Sequence, residues 1–175
     1  LGRLGLRPET EALARRAAPG LTGMLVVREV QPGSTTEGLL QPGDILVRVN
    51  GELVTTFEPL ADQVDGAVGG RITVEVERGG TPVTQQLEVQ DLHSITPAEY
   101  LEFGDAVVHT LSYQMARHFN SPVRGVFVAN PGYALGASGI PRGALIESVG
   151  GRPVATLQDF RDQVAGLADG SRVTL

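Results

Sequence analysis

The side chains that could do chemistry are few, and their spacing argues against catalysis. His93, His109 and His118 lie far from any spacing that would let them share a metal, and read as surface or packing residues. Gly136-Ala137-Ser138-Gly139 sets a serine among glycines but lacks the G-x-S-x-G pattern of a nucleophile elbow, and reads as a loop. Asp62-Gln63 and its later copy Asp162-Gln163 fall on predicted helices, on the solvated side, and no carboxylate pair is held in the way acid–base work requires. The chain has no cysteine, so a thiol nucleophile and a disulfide are both excluded, and the redox compartment stays open. No catalytic residue, no metal site and no cofactor is expected within this sequence.

Its dominant feature is a repeat. Residues 42–64 read PGDILVRVNGELVTTFEPLADQV, and residues 142–164 read RGALIESVGGRPVATLQDFRDQV. Without a gap, Gly43, Val49, Gly51, Val54, Thr56, Asp62, Gln63 and Val64 recur as Gly143, Val149, Gly151, Val154, Thr156, Asp162, Gln163 and Val164. A period this long exceeds any solenoid unit and suits a small whole domain. The 175 residues, 41% of them hydrophobic, provide for two such domains, each near the lower limit for a self-sufficient core.

Charge narrows the partners. A net charge of −6 and a pI near 5.0 exclude the basic face a nucleic-acid binder needs. No run of 18 apolar residues exists, so no membrane span is expected.

Local patterns supply the elements. Gly2-Arg3-Leu4-Gly5-Leu6 is a short apolar run holding glycines, and Pro8 ends strand pairing there because it has no N–H to donate. Glu9 to Ala18 is Ala-rich and helix-prone, stopped by Pro19-Gly20. Met24–Val30 and Ile45–Val49 read as strands, and Asn50-Gly51 is a strong two-residue hairpin signal. Thr56 is placed to cap a helix with Phe57, Leu60 and Val64 along one face. Ile72, Val74 and Val76 alternate with Thr73, Glu75 and Glu77 as a half-buried strand, and Gly79-Gly80 turns the chain into a last strand over Val83–Val89.

Thr96-Pro97-Ala98-Glu99 has the capping-box pattern, which predicts a short linker helix within residues 92–102. After it, Ala106–Leu111, Gly125–Ala129 and Leu145–Val149 read as strands. Ser112–Phe119 and Thr156–Leu167 read as helices, the latter with Leu157, Phe160 and Val164 facing in. The expected domains are thus 1–91 and 103–175. The second is read as C-terminally truncated by about 15 residues, leaving an open sheet edge.

This ordered set resembles a PDZ domain: the Leu4-Gly5-Leu6 opening, Pro42-Gly43-Asp44, a strand, Asn50-Gly51 and a long helix. The order, glycine-bearing loop first and long helix late, is similar to the permuted PDZ domains of Deg/HtrA serine proteases. His109 to Arg117, Pro122 to Phe127 and Ile95-Thr96-Pro97 resemble the later PDZ domains of the larger members. The resemblance implies an α+β, mainly β fold of two PDZ-like domains, each a small, partly open β-barrel capped by two helices.

It further implies binding of peptide C-termini or extended segments of misfolded proteins, by strand addition and by carboxylate capture on backbone N–H groups. The positions that match the carboxylate loop are Leu4, Gly5 and Leu6, with Leu60 and Val64 as the helix wall of the groove. In the second repeat the loop reads Glu102-Phe103-Gly104-Asp105-Ala106, and Asp105 would repel a ligand carboxylate. At about 6 Å and an effective dielectric near 20 that costs roughly 3 kcal/mol. The family's trypsin-like domain, with its Ser/His/Asp triad, has no room in 175 residues, so this stretch is expected to be proteolytically inert and to serve a parent serine endopeptidase in protein quality control. A bacterial parent of this family implies a periplasmic or extracytoplasmic home. Two other readings stay open: a structural module that assembles the parent as a homo-oligomer, and a PDZ tandem from another protease type, such as a membrane metalloprotease.

Overall fold

A computed structural model describes residues 5–20, 23–168 and 170–175. Its contacts divide the chain into two compact units, Leu1–Asp91 and Leu92–Leu175.

Unit 1 begins with α1 (Pro8–Ala17). Proline takes the first helical position, where a missing N–H costs nothing; Glu9 and Glu11 lie in the first turn, and Arg15 and Arg16 in the last, as the helix dipole favours. Next come β1 (Ile45–Val49), β2 (Glu52–Leu53), α2 (Phe57–Asp65), β3 (Arg71–Arg78) and β4 (Thr81–Glu88). The four strands form one antiparallel sheet in the order β2-β1-β3-β4. Asn50 and Gly51 both have positive φ, 50° and 83°, the type I′ geometry that matches strand twist in a two-residue hairpin. One face of the sheet presents Leu46, Val49, Ile72, Val74, Val76 and Leu87 to the core, and Leu60 and Val64 of α2 pack against it.

The expected strand over Met24–Val30 is paired along one side only. The Val27 amide donates to Asp44 O (2.8 Å), the Leu46 amide to Leu25 O (2.9 Å) and the Gly43 amide to Val27 O (2.8 Å). Val26 faces Ile45 in an isolated bridge, and no ladder forms on the outer side among the described residues.

Unit 2 contains β5 (Leu101–Phe103), β6 (Ala106–Thr110), α3 (Tyr113–Phe119), β7 (Val126–Asn130), α4 (Gly132–Gly136), β8 (Leu145–Ile146), β9 (Ser148–Val149), β10 (Arg152–Pro153) and α5 (Leu157–Ala165). One sheet has the order β5-β6-β7-β8, and β9 pairs with β10 apart from it. The core joins Val108, Val126, Val128, Leu135, Ile146 and Phe160. Ser112 caps α3 by accepting from the Met115 amide (3.2 Å), and Asn120 ends it in the left-handed conformation. The short α4, which glycines at both ends hide from propensity, was not anticipated by the sequence.

The linker helix expected within 92–102 does not form. The Thr96 hydroxyl donates backward to Leu92 O (2.8 Å) instead of capping forward, and residues 97–100 carry no regular structure. Leu101 and Phe103 then turn inward against the core with Glu102 exposed between them, so burial at alternate positions draws the segment into a strand.

Candidate functional site

In unit 1, Leu4 lies outside the described residues. Gly5 is exposed with φ 76°, and its carbonyl lies 3.6 Å from where a Cβ on Gly80 would stand, beside the β3–β4 turn. Leu6 is buried but stands outside the cluster that Leu60 and Val64 pack against. The four described residues of the proposed groove are therefore not gathered into one cluster: Leu60 and Val64 share the core floor, and Gly5 and Leu6 lie at the corner beside α1 and the β3–β4 turn.

That corner already holds a carboxylate. The Arg7 amide donates to Glu77 Oε2 (2.8 Å), Arg7 Nε to Glu77 Oε1 (2.9 Å), and the Thr10 hydroxyl also donates to Oε1. Burial raises the Glu77 pKa, but the hydrogen bonds from Thr10 and from the Arg7 amide and side chain outweigh it, and the net direction is down. Glu77 does what the side chain of Arg7 at the N-cap position does not: it places negative charge at the start of α1. The anion taken up beside Gly5-Leu6 is thus the protein's own.

The two repeats run at a different offset near their starts. Ala14 of α1 and Ala116 of α3 are both fully buried, and matching them makes the offset about 102 residues rather than 100. Leu6 then falls opposite Val108, in the middle of β6, and not opposite the Gly104-Asp105 turn.

The open edge of unit 1 lies elsewhere. In an extended strand, N–H and C=O groups alternate sides. Since Leu25 and Val27 bond toward β1, Val26 presents its N–H and C=O outward, and it is 41% exposed. Leu25, Leu60 and Val64 share one core, and α2 carries Phe57 out of it at 70% exposure. An unpaired strand edge and a helix with an uncovered apolar face on one core are the parts that strand addition uses.

In unit 2 the strand that matches Val26 is β7, with Val128 bonded to Ala144 and Gly143 as Val27 is to Asp44 and Gly43, and β6 covers its outer edge. The edge of β6 away from β7 is paired with β5: Leu101 opposite Val108, Glu102 opposite Val107, Phe103 opposite Ala106. The Phe103 ring lies 5.5 Å from that of Phe160 on α5, tilted by 50°. Gly104 and Asp105, with φ of 48° and 61°, form the two-residue turn, and the Ala134 amide of α4 donates to Gly104 O (3.1 Å). A Cβ on Gly104 would come within 2.7 Å of the Ala134 Cβ, and one on Gly132 would overlap the backbone of Asp105 and Ala106. The sequence carried this signal: Leu101, Glu102 and Phe103 alternate before a Gly-Asp pair and the apolar run of β6, which is a hairpin pattern.

Asp44 braces a loop. Arg78 Nε and Nη2 donate to its two oxygens (2.7 Å each), Arg78 Nη2 reaches Leu39 O (3.0 Å), and the Gln41 amide donates to Asp44 Oδ2 (2.9 Å). The Arg78 hydrogen bonds hold the Asp44 carboxyl below its ordinary value. Among the described residues no group of three or more His, Cys, Asp or Glu is placed to hold a metal ion, and no helix is long and apolar enough to cross a membrane.

Residues 26–78 match the family model of a PDZ domain, and residues 94–170 that of a PDZ-like domain. Protease Do-like 7 of Arabidopsis thaliana is 48% identical over 174 residues, 99% of this chain and 16% of that protein. The pro-apoptotic serine protease NMA111 of Coccidioides immitis is 42% identical over 173 residues, 99% of this chain and 17% of that protein. The chain thus spans about one sixth of the length of these relatives. Among solved structures, the PDZ domain of HtrA3 bound to a phage-derived ligand is 26% identical, with a TM-score of 0.35 over 48% of this chain and 81% of that one.

Proposed function

The chain belongs to the PDZ family, with two PDZ domains whose full-length relatives are Do-like serine proteases, and we propose that it is the peptide-recognition region of such a protease, binding C-termini or extended segments of misfolded proteins by strand addition. The observation that carries this reading is the outward edge at Val26, which shares a core with the uncovered face of α2. Leu60 and Val64 form the helix wall of that groove. The site itself carries no catalytic step; hydrolysis belongs to a trypsin-like domain of the parent protease.

Carboxylate capture by Leu4, Gly5 and Leu6 is the narrower form of the proposal. The Arg7 amide is committed to Glu77, so the edge is the stronger support. The test measures labelled peptides, each as free acid and as C-terminal amide, against the 175-residue chain and against Val26→Pro. That substitution removes only an outward N–H, which an edge strand tolerates. Binding at least tenfold weaker in Val26→Pro is expected. Unchanged binding overturns strand addition at this edge. Equal affinity for acid and amide leaves the edge and removes the carboxylate loop.

A second reading, assembly of the parent, draws on the same open edge, because a strand of another copy could pair there. Light scattering separates the two. A concentration-dependent dimer abolished by Val26→Pro, together with no peptide binding, favours assembly.

A further inference from the structure

Strand addition needs a free edge beside a helix, and in unit 2 that place is taken by the chain itself. β5 runs antiparallel to β6 on the side away from β7, with its apolar residues inward and Glu102 outward. Phe103 ends the strand against Phe160, a residue with no exposure at all, on the helix that corresponds to α2 of unit 1. Leu101 and Phe103 join the core of unit 2, and α5 lies against β6.

We propose that the cleft between β6 and α5 is a second peptide site, held shut by residues Leu101–Phe103 acting as its intramolecular ligand. The occupant defines the class of ligand: an extended segment with apolar side chains at alternate positions, a polar one between them, and a large aromatic residue at the place of Phe103. An external peptide of that class competes with β5 for the same edge. The two-residue Gly104-Asp105 turn makes the internal strand hard to displace, because so short a tether holds it at a high effective concentration. The seat of that turn on α4, through the Ala134–Gly104 hydrogen bond, keeps it there. This rests on the proposed peptide binding by strand addition and extends it to an edge of unit 2 one strand further out than the counterpart of Val26.

The probe is a fluorescent peptide reproducing residues 99–103, Glu-Tyr-Leu-Glu-Phe. It is titrated into the 175-residue chain carrying Val26→Pro, which silences the edge of unit 1. Leu101→Ser with Phe103→Ser releases β5 and is expected to tighten binding at least tenfold, with amide exchange over β6 slowed by the probe. A second variant guards against misfolding. Glu102 and Val107 face each other in the hairpin as a non-hydrogen-bonded pair, the closer kind, and the chain has no other cysteine, so Glu102→Cys with Val107→Cys can be cross-linked. Oxidation should abolish probe binding and reduction restore it to the level of the parent Val26→Pro chain. If neither release nor reduction brings binding to β6, while peptides still bind the Val26 edge of the unmodified chain, the self-ligand is overturned and strand addition in unit 1 stands. If peptides bind neither unit, both fall.

Discussion

Phe57 and Leu157 hold the same place in the repeat, yet one is 70% exposed and the other 5%. Three positions on, Leu60 is half-buried and Phe160 is sealed. The two helices have the same length, and both start after a threonine. What differs is the surface they meet. α5 lies against β6 and receives Phe103 from β5, whereas among the described residues of unit 1 no strand pair stands in that position. An apolar stripe on a helix states what it can bury; the strands beside it decide what it does bury. The same helix is thus partly uncovered in one unit and sealed in the other, and on the proposed reading it is the wall of an open groove in the first and of a filled one in the second.

Truncating equivalent residues tests this contrast most severely. Phe160→Ala should cost about 3–5 kcal/mol, as for a large aromatic removed from a closed core. Leu60→Ala should cost about 1–2 kcal/mol, because part of that side chain already meets water. Denaturant unfolding, followed by amide signals assigned to each unit, measures both. Equal losses would mean that the two helices are equally covered, and the open groove of unit 1 would be lost as an idea.

A second asymmetry lies at the turn before β1. Unit 1 has Asp44, clamped by Arg78, where unit 2 has Ala144. Asp44→Ala should destabilise unit 1 measurably, since it removes the buried acceptor of the Arg78 and Gln41 hydrogen bonds, while the Arg78 guanidinium left behind can still reach water. The sign of its pH dependence follows from the depressed pKa of Asp44. Its contribution is complete above the ordinary value of 3.8 and is lost as pH falls through the lower, folded value. Glu77, also lowered, adds to unit 1 in the same direction, below its ordinary 4.5. Acid titration of the two sets of amide signals should therefore show steeper acid destabilisation in unit 1, flattened in Asp44→Ala. A pH profile that the substitution leaves unchanged would separate the clamp from acid stability.

Much of this was legible beforehand. The hairpin at Asn50-Gly51 needed only two residues whose φ must be positive, and alternation over Ile72, Val74 and Val76 set β3. The domain organisation came from a repeat that any packed core would impose twice. The site was harder to read, because its definition is relational. Nothing local in Gly5 or Leu6 states that the offset between repeats drifts by two residues, or that Glu77, 70 positions along the chain from Arg7, fills the corner with its own carboxylate. At the join, Thr96-Pro97-Ala98-Glu99 carries a valid helix-start pattern, and the burial of Leu101 and Phe103 against a distant helix overrides it. Capping signals are worth about 1 kcal/mol, and two half-buried apolar side chains exceed that.

The smallest contrast concerns those capping threonines. Thr156 accepts from the Asp159 amide (3.1 Å), and the Asp159 carboxylate accepts in return from the Thr156 amide (2.9 Å), a complete capping box. Thr56 occupies the equivalent place and makes no side-chain cap, because its third neighbour is Pro59, which has no N–H to offer. Thr156→Ala should therefore cost about 1 kcal/mol, and Thr56→Ala a few tenths. Amide exchange in the first turns of α2 and α5 reads the difference directly. Faster exchange is expected at the start of α5 in Thr156→Ala, with little change at the start of α2 in Thr56→Ala. Pro59→Asp in unit 1 should then make Thr56→Ala costly, because it supplies both the missing donor and the returning carboxylate. If Thr56 stays indifferent in that background, the proline is not what separates the two helix starts.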